Sequence, residues 1–165
     1  MILTMFFTAL LTLSPATGMR CIIPGTPTVE FRKSKAVFTG KVVGREYIKD
    51  ENASSDLDAG ERLVIKLAVE RVWKGEIGDE VLMYTSEVRH SNGIFSMMAE
   101  DFRFEDGEQY LVYANGEMKR LKTSACMRTR KLEKAEDDLK ELGEGHKPVK
   151  SLAQKLKETD TNYGV

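Results

Sequence analysis

The sequence is poor in several residue types, and each shortage argues against a class of protein. It has only two histidines, His90 and His146, and two cysteines, without the Cys-x-x-Cys or His-x-x-x-His spacings of common zinc sites. Neither sign of charge dominates, because 25 lysines and arginines are balanced by 26 aspartates and glutamates, so no general attraction to nucleic acid or anionic membranes is expected. No P-loop, dinucleotide-binding glycine pattern or nucleophile–base motif occurs. We therefore expect no enzymatic activity, no metal site and no cofactor.

The clearest apolar run is too short to cross a membrane. It covers residues 2–13 within an uncharged stretch, residues 1–18, whereas a membrane-spanning helix needs roughly 20 residues. Pro15 ends the run, and the small residues Ala16 and Gly18 lie where a signal peptidase reads the chain. This pattern predicts a secretory signal peptide over residues 1–18, cleaved after Gly18, with cleavage after Ala16 as the alternative. The protein is then expected in the periplasm or outside the cell.

The two cysteines, Cys21 and Cys126, bracket most of the region that is predicted to fold. An exported chain meets an oxidising environment, in which two cysteines most simply form one disulfide. Free thiols are expected only if the leader is not a signal peptide. Removing 18 of 165 residues leaves 147, which is enough for one domain with a hydrophobic core.

Alternation of apolar and polar residues predicts a mainly β domain. It is clearest between residues 63 and 73, where Leu63, Ile65, Leu67, Val69 and Trp73 fall on one face of a long strand that bends near its end. β-Branched and aromatic residues, bounded by turn signals, predict further strands at residues 36–44, 80–85, 109–114 and 118–123. The last two are predicted to form a hairpin around Asn115-Gly116.

Helical spacing appears before and after these strands. Residues 28–34 are predicted to form a short helical turn, and apolar residues recur every three or four positions from Leu132 to Leu142. Gly143 is predicted to cap that second helix. We interpret Asp137, Asp138 and Glu141 as its solvated, charged face.

The order of elements predicts the fold class. Five strands of mixed length, glycines inside the first strand and no alternating β and α units favour a small, partly open antiparallel barrel. We predict a five-stranded Greek-key barrel of the OB type with a C-terminal α-helix, and a jelly roll or another sandwich is the alternative. Residues 50–60 read as a polar loop. Residues 144–165 form a polar tail, in which a second, weaker helix is predicted from Val149.

Four short motifs follow one another along the chain: SKAVFTGKV at residues 34–42, VERVWKG at 69–75, FEDGEQYLVYA at 104–114 and TSACMRT at 123–129. In order and spacing they resemble the netrin-like superfamily, and within it the small secreted proteins related to tissue inhibitors of metalloproteinases. The resemblance covers roughly residues 21–143. It implies an OB-like barrel over residues 19–143 with a packed C-terminal helix, a secreted monomer and no enzymatic activity.

In the inhibitors of this family, the mature chain begins with Cys-x-Cys. Its first residue binds the catalytic zinc of the protease through its α-amine and carbonyl oxygen, and both cysteines form disulfides. This chain has Met19-Arg20-Cys21 at that place. The resemblance therefore implies that the Cys21–Cys126 bond is retained and that both halves of the other bond are missing.

Two functions follow from this comparison with the family. The first is a secreted, non-enzymatic binding module whose partner is not identified by the sequence. The second is a metalloproteinase inhibitor that binds the protease zinc through a mature amino terminus at Met19. The resemblance points to Met19, Arg20, Cys21, Ile22 and Ile23 as partner-binding residues. The expected partner is a secreted or surface metalloproteinase or another extracytoplasmic protein.

Overall fold

The computed structural model describes Cys21, residues 23–49 and residues 60–150. The predicted signal peptide, Met19, Arg20, Ile22, nearly all of the predicted loop and the chain beyond residue 150 lie outside these ranges. The strands there are β1 (Ala36–Lys49), β2 (Glu61–Lys74), β3 (Glu80–Arg89), β4 (Phe95–Ser96), β5 (Gln109–Glu117), β6 (Arg120–Lys122) and β7 (Arg130–Lys131). The helices are α1 (Pro27–Lys33) and α2 (Glu136–Leu142), and α2 follows a single 3₁₀ turn, Leu132–Lys134.

Five of the strands close into a ring in the order β1, β2, β3, β6, β5 and back to β1. All neighbours in the ring are antiparallel except β3 and β6, which meet in parallel at Met83 and Leu121. This is a closed Greek-key barrel of the OB type, and α2 follows its last strand. The predicted fold class is confirmed, and the sandwich alternative is excluded. Within the described ranges, no helix is long and apolar enough to cross a membrane.

The bend in the long second strand arises from bulges. In the pairing of β1 with β2, Glu70 and Trp73 are the extra residues of two bulges and have no paired residue in β1. Each bulge reverses the alternation, so Val72 takes an interior position and the Trp73 side chain packs on the outer face instead. Gly40 lies beside the first bulge, where an added Cβ would stand 3.0 Å from the carbonyl oxygen of Ala68. Glycine therefore favours the close approach of β1 to β2 at this bulge.

β5 is buried on both faces, which explains its continuous apolar run. Tyr110, Val112 and Ala114 point into the barrel, whereas Leu111 and Tyr113 point outwards into a second apolar cluster. That outer cluster also contains apolar side chains from β1, β2, α1, α2 and the residue that precedes α2: Val37, Trp73, Phe31, Leu139, Leu142 and Ala135. The two short helices therefore cover one side of the barrel.

The hairpin between β5 and β6 turns later than predicted. Asn115 and Gly116 are paired with Lys122 and Leu121, and the two-residue turn is Met118-Lys119. The predicted turn position is wrong, because Gly116 is used within the ladder. Its φ is 102° and an added Cβ would stand 2.7 Å from a carbonyl oxygen of β6, so glycine is required in the strand itself.

Gly143 ends α2 with a φ of 70°, as predicted, and its carbonyl oxygen accepts a hydrogen bond from the Trp73 indole at 2.9 Å. The chain then runs back onto the barrel, where His146 exchanges two backbone hydrogen bonds of 2.8 Å with Val72. Val149 forms an isolated bridge with Gly78, so the described start of the second predicted helix is extended. The rest of that helix falls outside the described ranges.

Candidate functional site

A disulfide joins Cys21 to Cys126 across 105 residues, with 5.1 Å between the Cα atoms. The predicted pairing is confirmed. Cys126 lies in the loop between β6 and β7, so the bond fastens the amino-terminal segment, defined here as Cys21 and residues 23–26, to that loop. Of the predicted partner-binding residues, Cys21 and Ile23 are described, and the Ile23 side chain is 87% exposed.

A second attachment holds the same segment four residues further along. The Arg128 guanidinium donates a hydrogen bond from Nη1 to the carbonyl oxygen of Gly25 at 2.7 Å. The backbone N–H of Gly25 in turn donates to Oε1 of Glu30 at 3.0 Å. The segment is therefore held by one covalent bond and by hydrogen bonds to both backbone groups of Gly25.

Arg128 is itself oriented by a buried carboxylate. Asp138 of α2 is fully buried, and its two oxygens accept hydrogen bonds from Nε and Nη2 of Arg128 at 2.5 and 3.0 Å. The same carboxylate accepts a hydrogen bond from the Tyr113 hydroxyl at 2.9 Å and lies 3.6 Å from Arg130. A two-point pair of this kind fixes the plane of the guanidinium, so the remaining nitrogen is aimed at Gly25.

The interpretation of Asp138 as solvated is therefore wrong. Asp138 lies three residues after Ala135 and four before Leu142, on the face that α2 buries. Glu141 is exposed but engaged, because its carboxylate accepts hydrogen bonds from the backbone N–H of Thr28, at 2.9 Å, and from the Thr28 hydroxyl. α2 thus holds the amino-terminal segment through Asp138 and Arg128, and it holds α1 through the hydrogen bonds of Glu141.

The network shifts the pKa values of its members. Burial, followed by the hydrogen bond to Asp138, raises the pKa of Tyr113 far above its usual value of 10.0. The hydrogen bond to Asp138 raises the pKa of Arg128, and the hydrogen bonds from Thr28 lower the pKa of Glu141. At neutral pH the phenol is therefore neutral and the guanidinium is charged.

The connector between β3 and β5 carries the most concentrated exposed apolar surface in the described part of the chain. Residues 91–99 are all exposed, and four of them have large apolar side chains: Ile94, Phe95, Met97 and Met98. We call these four side chains the connector ridge. Phe95 contacts Tyr47 with 6.2 Å between ring centroids, and the backbone N–H of Met98 donates to the Ser86 hydroxyl at 2.8 Å. The connector is thus attached to β3.

The base of the connector meets the loop that carries the disulfide. The backbone N–H of Ala125 donates to the carbonyl oxygen of Glu100 at 2.7 Å, and Asp101 forms a backbone bridge with Ser124. Ala125 is the residue before Cys126. The connector and the amino-terminal segment are therefore attached to the same loop, which is why we treat them as one candidate site.

A cavity of about 390 Å³ lies behind the connector. Its apolar wall includes Leu63, Ile65, Phe102 and Phe104, and Asp101 contributes a carboxylate. Burial raises the pKa of Asp101, and Oδ2 of the carboxylate accepts a hydrogen bond from the backbone N–H of Ser86 at 2.9 Å.

The titratable side chains do not assemble a metal site in the described ranges, which contain no group of three or more histidine, cysteine, aspartate and glutamate side chains able to hold a metal ion. His90 is hydrogen bonded to the Ser96 hydroxyl at 2.8 Å, and His146 to the carbonyl oxygen of Lys147 at 2.9 Å. Tyr110 and Tyr113 are buried, one in the barrel interior and the other in the outer cluster.

The sequence interpretation missed Asp138 with Arg128, and it missed the connector ridge. A signal for Asp138 was present, since it shares the helical spacing of Ala135 and Leu142. The ridge has neither strand nor helix periodicity, so its four apolar residues had no pattern that marked them. No protein-family model matches the chain, and no curated protein matches it.

Proposed function

We propose that this chain is an exported, non-enzymatic binding module of the netrin-like type. Its partner is another extracytoplasmic protein, which it contacts through the amino-terminal segment and the connector ridge. The observation that carries the proposal is the attachment of both parts to one loop, through the Cys21–Cys126 disulfide and the Ala125–Glu100 hydrogen bond. Met19, Arg20 and Ile22 extend or complete the amino-terminal segment in this proposal.

The composition of the ridge supports a protein partner. Phenylalanine and methionine are enriched at protein interfaces, and large exposed apolar patches mark interaction sites. Burying one such side chain contributes about 1.5–3 kcal/mol. Phe95 and Met98 are 57% and 66% exposed, so most of that contribution is available to a partner. The disulfide and the predicted signal peptide support an oxidising, extracytoplasmic location.

The test is capture with the mature protein from extracellular fluid, followed by direct binding of the identified partner in purified form. Met98→Ser and Phe95→Ser are expected to weaken binding at least tenfold. Met118→Ser is the matched control, because Met118 is also exposed but lies in the β5–β6 turn beside Gly75. Equal binding by the ridge variants and the control would reject the proposal.

The second candidate is inhibition of a metalloproteinase through the amino terminus. It is favoured by the disulfide, which fastens the chain two residues after Met19, and by the attachment of the connector to the same loop. A free α-amine and a carbonyl oxygen at Met19 are chemically able to bind zinc, although Arg20 is larger than the side chain that the inhibitors carry there. Two residues of chain beyond the anchor cost ordering entropy, so reduced affinity is expected.

Two measurements decide this second candidate. Amino-terminal sequencing of the mature protein must give Met19, since any other first residue moves the α-amine away from the chelating position. Inhibition of purified extracellular zinc proteases must then be lost when the α-amine is acetylated. Inhibition that survives acetylation would exclude zinc ligation by the terminus.

A further inference from the structure

We propose that Arg128 is a positioning residue for the amino-terminal segment: oriented by Asp138, it holds that segment beside Cys126 even when the disulfide is reduced. The disulfide would then secure a position that the folded chain already prefers. The consequence for partner binding rests on the proposed function, but the positioning itself does not.

The geometry of the guanidinium is the first support. Two of its nitrogens are used by the Asp138 carboxylate, and the third donates to Gly25 at 2.7 Å. The Arg128 side chain is only 15% exposed and that of Asp138 is fully buried. Water therefore competes weakly for these hydrogen bonds, and hydrogen bonds to charged groups are the stronger kind.

The place of the contact along the chain is the second support. Arg128 is two residues from Cys126, and Gly25 is four residues from Cys21, so the contact closes nearly the same 105-residue loop as the disulfide. The Glu141–Thr28 hydrogen bonds lie further from Cys21 and hold α1. Among the long-range hydrogen bonds of the described residues, the one from Arg128 to Gly25 lies closest to Cys21 along the chain.

The experiment measures how close the reduced thiols remain. The mature protein is equilibrated without denaturant in dithiothreitol buffers of known reduced and oxidised concentration, and free thiols are then alkylated and counted by intact mass. Each reduction converts the Cys21–Cys126 bond into two thiols while one dithiothreitol closes to its cyclic disulfide. The equilibrium gives the effective concentration of one thiol at the other.

Arg128→Gln is expected to lower this effective concentration roughly ten- to hundredfold, as the loss of a hydrogen bond to a charged group predicts. Arg130→Gln is the matched control, because Arg130 is 3.6 Å from the Asp138 carboxylate but forms no hydrogen bond or ion pair with the described amino-terminal segment. Its value is expected within about twofold of the wild type. Circular dichroism of the reduced proteins checks that the barrel is folded.

If Arg128 only stabilises α2 through Asp138, Arg128→Gln lowers the free energy of unfolding but leaves the thiol equilibrium of the folded chain unchanged, and the proposal is overturned. Arg128→Lys decides the matter where Arg128→Gln does not fold. Its single nitrogen cannot reach Gly25 and both Asp138 oxygens, so an intermediate value is expected, and a wild-type value overturns the proposal. No partner is needed, so failure of the proposed binding function is recognised separately.

Discussion

Replacement of Asp138 by alanine tests the buried network most sharply. Asp138→Ala leaves the Arg128 guanidinium and the Tyr113 hydroxyl without their shared carboxylate. Breaking a buried ion pair by removing one partner costs about 3–5 kcal/mol. The Arg128 side chain is 15% exposed, so water relieves part of this cost, and we expect a loss near 3 kcal/mol in the free energy of unfolding. Urea unfolding with a shared m value measures it.

The neighbouring residue provides the control. Asp137 lies on the same helix but is exposed, so Asp137→Ala is expected to change stability by less than about 0.5 kcal/mol. A double-mutant cycle with Tyr113→Phe should show coupling with Asp138→Ala, because the two residues share a hydrogen bond. Equal losses at Asp137 and Asp138, or a loss below about 1 kcal/mol at Asp138, would contradict the role assigned to the carboxylate.

Three further predictions concern pH, the disulfide and the ridge. The pKa of Tyr113 is raised above its usual value of 10.0, so above pH 10 the folded protein keeps a proton that the unfolded chain loses. The free energy of unfolding should therefore fall as pH rises past about 10, and it should fall less in Tyr113→Phe. Replacing Cys21 and Cys126 together by serine should lower the free energy of unfolding by up to about 4–5 kcal/mol, measured by urea unfolding, because the bond closes a loop of about 100 residues; no loss would show that the bond does not restrain the unfolded chain. Phe95→Ser should change the free energy of unfolding by less than about 0.5 kcal/mol, because Phe95 is mostly exposed. A large loss would instead show that Phe95 belongs to the core.

The barrel was predictable because its strands carry local signals. In β2, alternation from Leu63 to Val69 places one face in the core, and the glycines of β1 coincide with shifts in its pairing with β2. The turn after β5 was misplaced because Asn-Gly is favourable in a hairpin turn. The competing requirement for glycine at residue 116, a close approach between strands, is visible only once β6 is in place.

The candidate site was less predictable, for two different reasons. Asp138 shares the helical spacing of Ala135 and Leu142, but charge on a short helix usually means solvent. Only the simultaneous placement of Arg128, Arg130 and Tyr113 shows what compensates a buried carboxylate there. The connector ridge depends on contacts distant in sequence, above all the hydrogen bond from Ala125 to Glu100. The partners that compensate Asp138 and the contact that anchors the ridge are both tertiary, and no local periodicity contains them.

We propose that the amino-terminal segment and the connector ridge form one binding surface. Hydrogen exchange of the mature protein, with and without its purified partner, tests this claim most directly. Slowed exchange is expected in residues 23–26, in residues 91–100 and in the loop around Cys126, and unchanged exchange in the β5–β6 turn at Met118. Protection confined to that turn, with none in residues 91–100, would contradict it.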